Sequence, residues 1–187
     1  MKLRQTKIPG CYLIGLLARL DARGSFVKTF QSTAFRELGL ETDFRESFYS
    51  FSEEAVLRGL HFQLPPSDGA KLVYCLKGEV LDVAVDLRVG SPTYGEHTTF
   101  ELSARDASAV YIPRGVAHGF YVRQGPALLV YHVTSEYDAR LDSGILWSSI
   151  DFEWPSLIPT CSERDAAFTN LQEFASPFRF APVEVDV

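Results

Sequence analysis

Apolar residues in this chain come in short runs, and most of the runs have the period of a strand. "AVLRGLHFQL" ends at the turn signal "PPSDGA". "KLVYCL" ends at "KGE", which reads as a hairpin-like turn at Gly78. "VLDVAVDLR" sets Val83, Val85 and Leu87 against Asp82, Ala84 and Asp86, and stops at "GSPTYG". "HTTFELS", "AVYIPRG", "HGFYVRQG" and "ALLVYHVTS" follow in the same manner. Period two marks a strand because successive side chains leave opposite faces. Strands at about ten-residue spacing predict a sandwich or barrel, not βαβ units. Two stretches depart from this pattern. "STAFRELGL" predicts a helix capped by Ser32 or Thr33 and ending near Gly39, and "SERDAAFTNL" predicts a short second helix. From "GILWSSIDFEWP" onward the chain is rich in Trp, Pro and Ser, which predicts a wrap around the barrel.

Composition agrees with a sheet protein. The 187 residues suit one domain with its own core, spanning 1–187. Hydrophobic residues make up 46% and aromatics 13%; the aromatic share favours strands. Net charge is −6 and no basic run occurs, which argues against a nucleic-acid partner. An anionic small molecule is still allowed if Arg and Lys converge locally. Cys11, Cys75 and Cys161 have no CxxC or metal-ligand spacing, so buried thiols in a reducing cytoplasm are expected. At the N-terminus, "CYLIGLLA" follows Lys2, Arg4 and Lys7 like a weak secretion signal. Its apolar run is short and lacks a small-x-small cleavage site, so a first strand is the expectation. No segment approaches the ~20 apolar residues of a membrane helix.

Candidate chemistry comes from the polar residues inside strands. In "LRGLHFQ", strict alternation puts His61 and Gln63 on one face with Gly59, and Arg58, Leu60 and Phe62 on the other. Lys71, Val73 and Cys75 share a face, as do Leu129, Tyr131 and Val133. Small barrels often hold one ligand inside, so inward polar residues are candidates for a site. "YIPRGVAHGF" looks like the second half of a cupin signature. The first half, His-x-His and then Glu, is degraded here: Gln63 stands two residues after His61. His61 and His118 alone make an incomplete metal shell, so no metal is expected.

Taken in order, "VLRGLHFQLPP", "KLVYCLKGEVLDVAVDLRVGSPTYG", "ELSA", "YIPRGVAHGF", "LVYHVTSEY", "GILW" and "SERD" resemble the dTDP-4-dehydrorhamnose 3,5-epimerase family, over about residues 21–165. The resemblance implies an all-β, cupin-type jelly-roll barrel with short peripheral helices. It implies a metal-free, cofactor-free isomerase acting on a nucleotide-diphosphate sugar. It also implies a homodimer whose N-terminal segments cross to the partner. By the same resemblance, His61 is the general base and Asp165 its carboxylate partner. Tyr131 is the general acid across the sugar, and Lys71 stands near the developing enolate. Arg58 contacts the diphosphate, Arg23 and Phe26 serve the nucleotide from the partner subunit, and His118 and Asp82 line the site.

The chemistry suits these side chains. A C4 ketone acidifies the protons on C3 and C5. Removing one gives an enolate, and returning it from the opposite face inverts the carbon. A histidine near pKa 6.5 is a suitable base at neutral pH, and a buried aspartate would fix its tautomer. An ammonium near O4 stabilises charge that grows in the transition state.

The nucleotide end departs from the family pattern. Lys28, in "RGSFVK", falls at or near the family's usual glutamate. "ESFYS" stands against the family's "QDNHS", with Glu46 at the glutamine and Tyr49 at the histidine. A Lys28–Glu46 pair would suit cytosine at least as well as thymine, so CDP, or GDP, stands beside dTDP as the expected nucleotide. Inversion at one centre stands beside inversion at both. Two other classes of function stay open at this point: a metal-dependent cupin enzyme, and a catalytically silent nucleotide-sugar binder.

Overall fold

Lys71–Asp86 and Val116–Val133, each read from the sequence as two strands, are single strands bent in the middle. The computed structural model describes residues 1–181; the last six residues of the range 1–187 lie outside the described residues. In chain order the strands are β1 (Lys2–Gln5), β2 (Tyr12–Gly15), β3 (Leu17–Asp21), β4 (Gly24–Lys28), β5 (Glu46–Ser52), β6 (Leu57–Gln63), β7 (Lys71–Asp86), β8 (His97–Ser103), β9 (Ser108–Ile112), β10 (Val116–Val133) and β11 (Asp142–Gly144). Two short helices are α1 (Ser32–Glu37) and α2 (Glu163–Ala166).

Among the described residues every pairing between these strands is antiparallel, three isolated bridges outside them are parallel, and β7 pairs with β10 along nearly its whole length. Their outer neighbours change halfway. The first part of β7 pairs with β9 and the second part with β8. The first part of β10 pairs with β6 and the second with β5. The bent pair therefore belongs to two facing sheets, β1-β2-β9-β7-β10-β5 and β8-β7-β10-β6-β11. Strands that switch sheets by bulges make the corners of such a barrel. This is the jelly-roll arrangement that the family resemblance implies.

Gly78 marks the corner of β7 and is not a turn. Its φ is +78°, and a Cβ there would stand 2.6 Å from the Gln124 carbonyl oxygen. The inward set changes phase across it. Val73 and Cys75 point into the barrel before the corner; Val80 and Ala84 do so after it. Val83, Val85 and Leu87, the apolar half of the alternation, pack outward under the C-terminal wrap with Ile145, Ile150, Trp154 and Phe178. A third cluster covers the other sheet, where Phe35 of α1 packs on Leu72 and Tyr74. Each fully buried aliphatic side chain of this kind contributes about 1.5–3 kcal/mol.

Several local expectations shift. The α1 N-cap is Gln31, without a side-chain cap bond, not Ser32 or Thr33. α2 is capped by Ser162, whose Oγ accepts from the Asp165 amide. The N-terminal apolar run divides into β2 and β3, and β3 with β4 forms a separate exposed hairpin. β5 was not anticipated as a strand. Among the described residues no helix is long and apolar enough to cross a membrane.

Candidate active site

A cavity of about 510 Å³ opens into one end of the barrel, within the usual range for small-molecule sites. Its walls come from β5, β6, β7 and β10, with contributions from the loop after β10 and from α2. His61, Lys71, Arg58, His118 and Tyr131 all line it, so strands remote in sequence converge on one volume.

Arg58 reaches the cavity although strict alternation sends it away. β6 carries a bulge against β10: His61 pairs with His118 and Arg58 with Phe120, so two residues of β6 oppose one of β10. The extra residue moves Arg58 onto the face of His61, while Leu57, Leu60 and Phe62 stay in the outer core. Gly59, with φ +129°, makes this possible, because a Cβ there would lie 2.6 Å from Gly119 Cα. Ser52 Oγ accepts from Arg58 Nε at 2.9 Å and Phe51 O from Nη2 at 3.3 Å, fixing the guanidinium against β5.

His61 and Asp165 meet from opposite ends of the sequence. His61 Nε2 stands 2.9 Å from Asp165 Oδ1, and the Gly59 amide donates to Oδ2 at 2.9 Å. Asp165 is 4% exposed. Burial pushes its carboxyl up, but hydrogen bonds from His61, Gly59 and Ser162 outweigh that and hold it below the usual range. An ionised carboxylate on Nε2 leaves Nδ1 as the other nitrogen of His61. Phe168 packs edge-on against the imidazole, with centroids 5.7 Å apart.

Lys71 opens β7 and donates to the His61 carbonyl at 3.1 Å. Burial lowers its pKa to about 8, against the raising effect of Asp142 and Asp82. Tyr131 is 7% exposed. Burial raises its phenol, opposed by the hydrogen bond it shares with Ser50 Oγ at 3.3 Å. Beneath these groups His118 Nε2 meets Asp82 Oδ2 at 2.7 Å, both nearly inaccessible. Asp82 Oδ1 has no partner among the described residues. A buried unpaired oxygen costs about 1–3 kcal/mol, so this pair is not there for stability alone.

Other expected residues stand differently. Gln63 lines the cavity, but its amide ties the loop after β6 to the loop after β10: Nε2 donates to Ser67 O, Ser135 Oγ and Glu136 O, and Oε1 accepts from the Asp138 amide. Glu46 lines the cavity and accepts from the Tyr137 amide at 2.9 Å. Arg23, Phe26 and Lys28 lie on or in the tip of the β3–β4 hairpin and do not line it. Arg23 is turned onto Asp21. Lys28 and Glu46 are thus not brought together within one chain. Phe48, Tyr137, Asp142 and Arg164 line the cavity without having been singled out. Arg164, beside Asp165 in "SERD", pairs with Asp142 at 2.8 Å and lies over the Phe168 ring; its adjacency to Asp165 was the available signal. Among the described residues no group of three or more His, Cys, Asp and Glu could hold a metal. The arrangement offers a carboxylate-backed imidazole, a protonated phenol and an ammonium around one small ligand.

Comparison with known proteins agrees in sequence and in shape. The family model described as dTDP-4-dehydrorhamnose 3,5-epimerase matches residues 5–173. The enzyme of that name from Shigella flexneri is 41% identical over 168 residues, 88% of this chain and 93% of that one. The solved dTDP-6-deoxy-D-glucose-3,5-epimerase of Legionella pneumophila, in complex with dTDP-4-keto-L-rhamnose, has a TM-score of 0.92 at 34% identity, over 97% of this chain and 99% of that one. A 3′-monoepimerase from Streptomyces bikiniensis, in complex with dTDP-quinovose, has a TM-score of 0.84 at 29% identity, over 89% of this chain and 86% of that one.

Proposed function

The chain belongs to the dTDP-4-dehydrorhamnose 3,5-epimerase family, and we propose that it is an isomerase inverting C3 and C5 of a dTDP-linked 4-keto-6-deoxyhexose. The observation that carries this reading is the His61–Asp165 pair in a cavity shared with Tyr131 and Lys71. His61 takes the proton α to the ketone, and its electron pair passes into the enolate. Asp165 stabilises the imidazolium that forms. Lys71 faces the oxygen on which negative charge grows. Tyr131 returns a proton to the other face and regains one from solvent. Arg58, braced by Ser52, meets the diphosphate. His118 and Asp82 shape the floor beneath the sugar. None of these steps needs a redox cofactor, since the proton leaves and returns with no net change of electrons.

The test is NMR of dTDP-4-keto-6-deoxyglucose in D₂O with the purified protein. Deuterium at C3 and C5 with inverted products is expected. No exchange at either carbon would overturn the reading.

Lys71 gives the reaction a pH signature. Its ammonium acts only when protonated, and burial sets its pKa at about 8. The rate should therefore fall as pH rises through about 8. Lys71→Arg, charged throughout this range, should move that limb to higher pH. A limb in the same place in both proteins would assign it to another group.

The protein acts, in this proposal, as a homodimer. Among the described residues the β3–β4 hairpin pairs only with itself, and it exposes Leu20 and Phe26 at 81% and 64%. Its Arg23, Phe26 and Lys28 do not line the active-site cavity of their own chain, but on a crossing arm they would reach the partner's. Light scattering should give twice the 20.9 kDa of one chain, and Phe26→Asp should raise KM at least about tenfold by losing a buried aromatic contact. A fully active monomer would refute this.

A further inference from the structure

Tyr131 is held by β5, and the contact that holds it is not part of the proton chemistry described above. Phe48 of β5 lies directly across from Tyr131 of β10. The two rings are stacked, with centroids 4.9 Å apart and planes 14° from parallel. Ser50, two residues along the same face of β5, meets the phenol oxygen at 3.3 Å. The His118 ring stands edge-on at 6.1 Å. The phenol is thus bounded on one face by Phe48, at its tip by Ser50 and at an edge by His118.

Phe48 itself is 48% exposed at the cavity wall, so it does not sit there as core. Among the described residues β5 pairs only with β10, so its inward side chains meet the cavity and that strand. A ring on a cavity wall, parallel to a phenol that must aim a proton, restricts the rotation of that phenol about its own bonds.

We propose that Phe48 is a positioning residue that fixes the Tyr131 phenol in the orientation for proton return to the inverting face. This rests on the epimerase reading. In that reaction His61 can remove a proton and give it back to the same face, after exchange with solvent, so that deuterium enters without inversion. Inversion requires the phenol in the correct place. Loosening the phenol therefore lowers the fraction of exchange events that end in inversion, whereas a general loss of folded protein lowers both alike.

The experiment measures the ratio of inversion to deuterium exchange at C3 and at C5 in D₂O for wild type, Phe48→Leu and Phe48→Tyr. Phe48→Leu should lower the ratio about two- to tenfold, the range expected from an aromatic pair. Phe48→Tyr keeps the stacked face and should match wild type. Phe48→Met, apolar and without a ring, gives the same comparison should the leucine variant not fold. An unchanged ratio in the ringless variants, or an equal drop in Phe48→Tyr, would overturn the proposal while leaving wild-type epimerase activity intact. Absence of exchange by wild type would instead overturn the reading on which it rests.

Discussion

His61→Ala is expected to abolish both deuterium exchange and inversion, with a loss of about 10²–10⁴-fold or more, the span assigned to a positioned general base. The substitution removes the imidazole from between Asp165 and the cavity. His118, its neighbour across β10, presents Nε2 to a buried Asp82. The loss should be accompanied by a fall in stability with a defined pH dependence. Asp165 has its folded pKa depressed, in part by His61. Such a carboxylate contributes stability that is present above its unfolded pKa and lost as pH falls through the folded one. His61→Ala removes the histidine's share of that contribution and leaves that of Gly59 and Ser162, so wild type and variant should differ most near neutral pH and converge in acid. Asp165→Asn tests the same pair from the other side: shape is kept, but the amide favours neither the right tautomer nor the imidazolium. Circular dichroism and denaturant melts check that the variants are folded. Exchange retained in a folded His61→Ala protein would mean that another group takes the proton.

Part of this site is legible in the sequence because its residues sit at regular positions of regular strands. Tyr131 and Lys71 face inward with Val133 and Val73 as period two requires. The misreadings share one physical cause, which is that alternation holds only between bulges. At Gly78 the count slips, so Asp82 enters the barrel and the valines beside it go outside under the wrap. The apolar side of that strand is not the side facing the cavity, because both faces are buried. At Gly59 the count slips again and brings Arg58 to His61. A glycine in a strand announces a bulge or a turn, but which of the two depends on partners far along the chain: Gln124 for Gly78, Gly119 for Gly59. β5 lacks a period-two signal because its aromatics lie on both faces. Phe48 points into the cavity, while Tyr49 and Phe51 are 69% and 47% exposed. Asp165 could be matched to His61 only by family resemblance, since 104 residues separate them and local pattern says only that it lies in a capped helix. The hairpin residues Arg23, Phe26 and Lys28 belong to a question of assembly, which one chain's alternation does not address.

Tyr131→Phe should separate two events that His61→Ala removes together. The phenol is buried, and that burial keeps it protonated well above neutral pH. It is therefore a proton donor and not a competing base, and its loss leaves the imidazole and Asp165 in place. Proton removal continues in the variant, solvent deuterium reaches the base, and deuterium returns to the face it left. Return to the opposite face has lost its donor. Inversion should fall about 10²-fold or more, while exchange with retained configuration falls by less than about tenfold. The packing cost should be small, because phenylalanine keeps the stacked ring against Phe48 and only the hydrogen bond to Ser50 is lost, a change of about 1 kcal/mol. NMR reads both quantities from one sample: the deuterium content of C3 and C5, and the proportion of epimerised sugar. If inversion persists at the wild-type rate, the proton comes from elsewhere, and the His118–Asp82 pair on the cavity floor is the group to alter next. If exchange disappears along with inversion, the phenol takes part in removing the proton, and the division of roles between the two faces of the sugar is wrong.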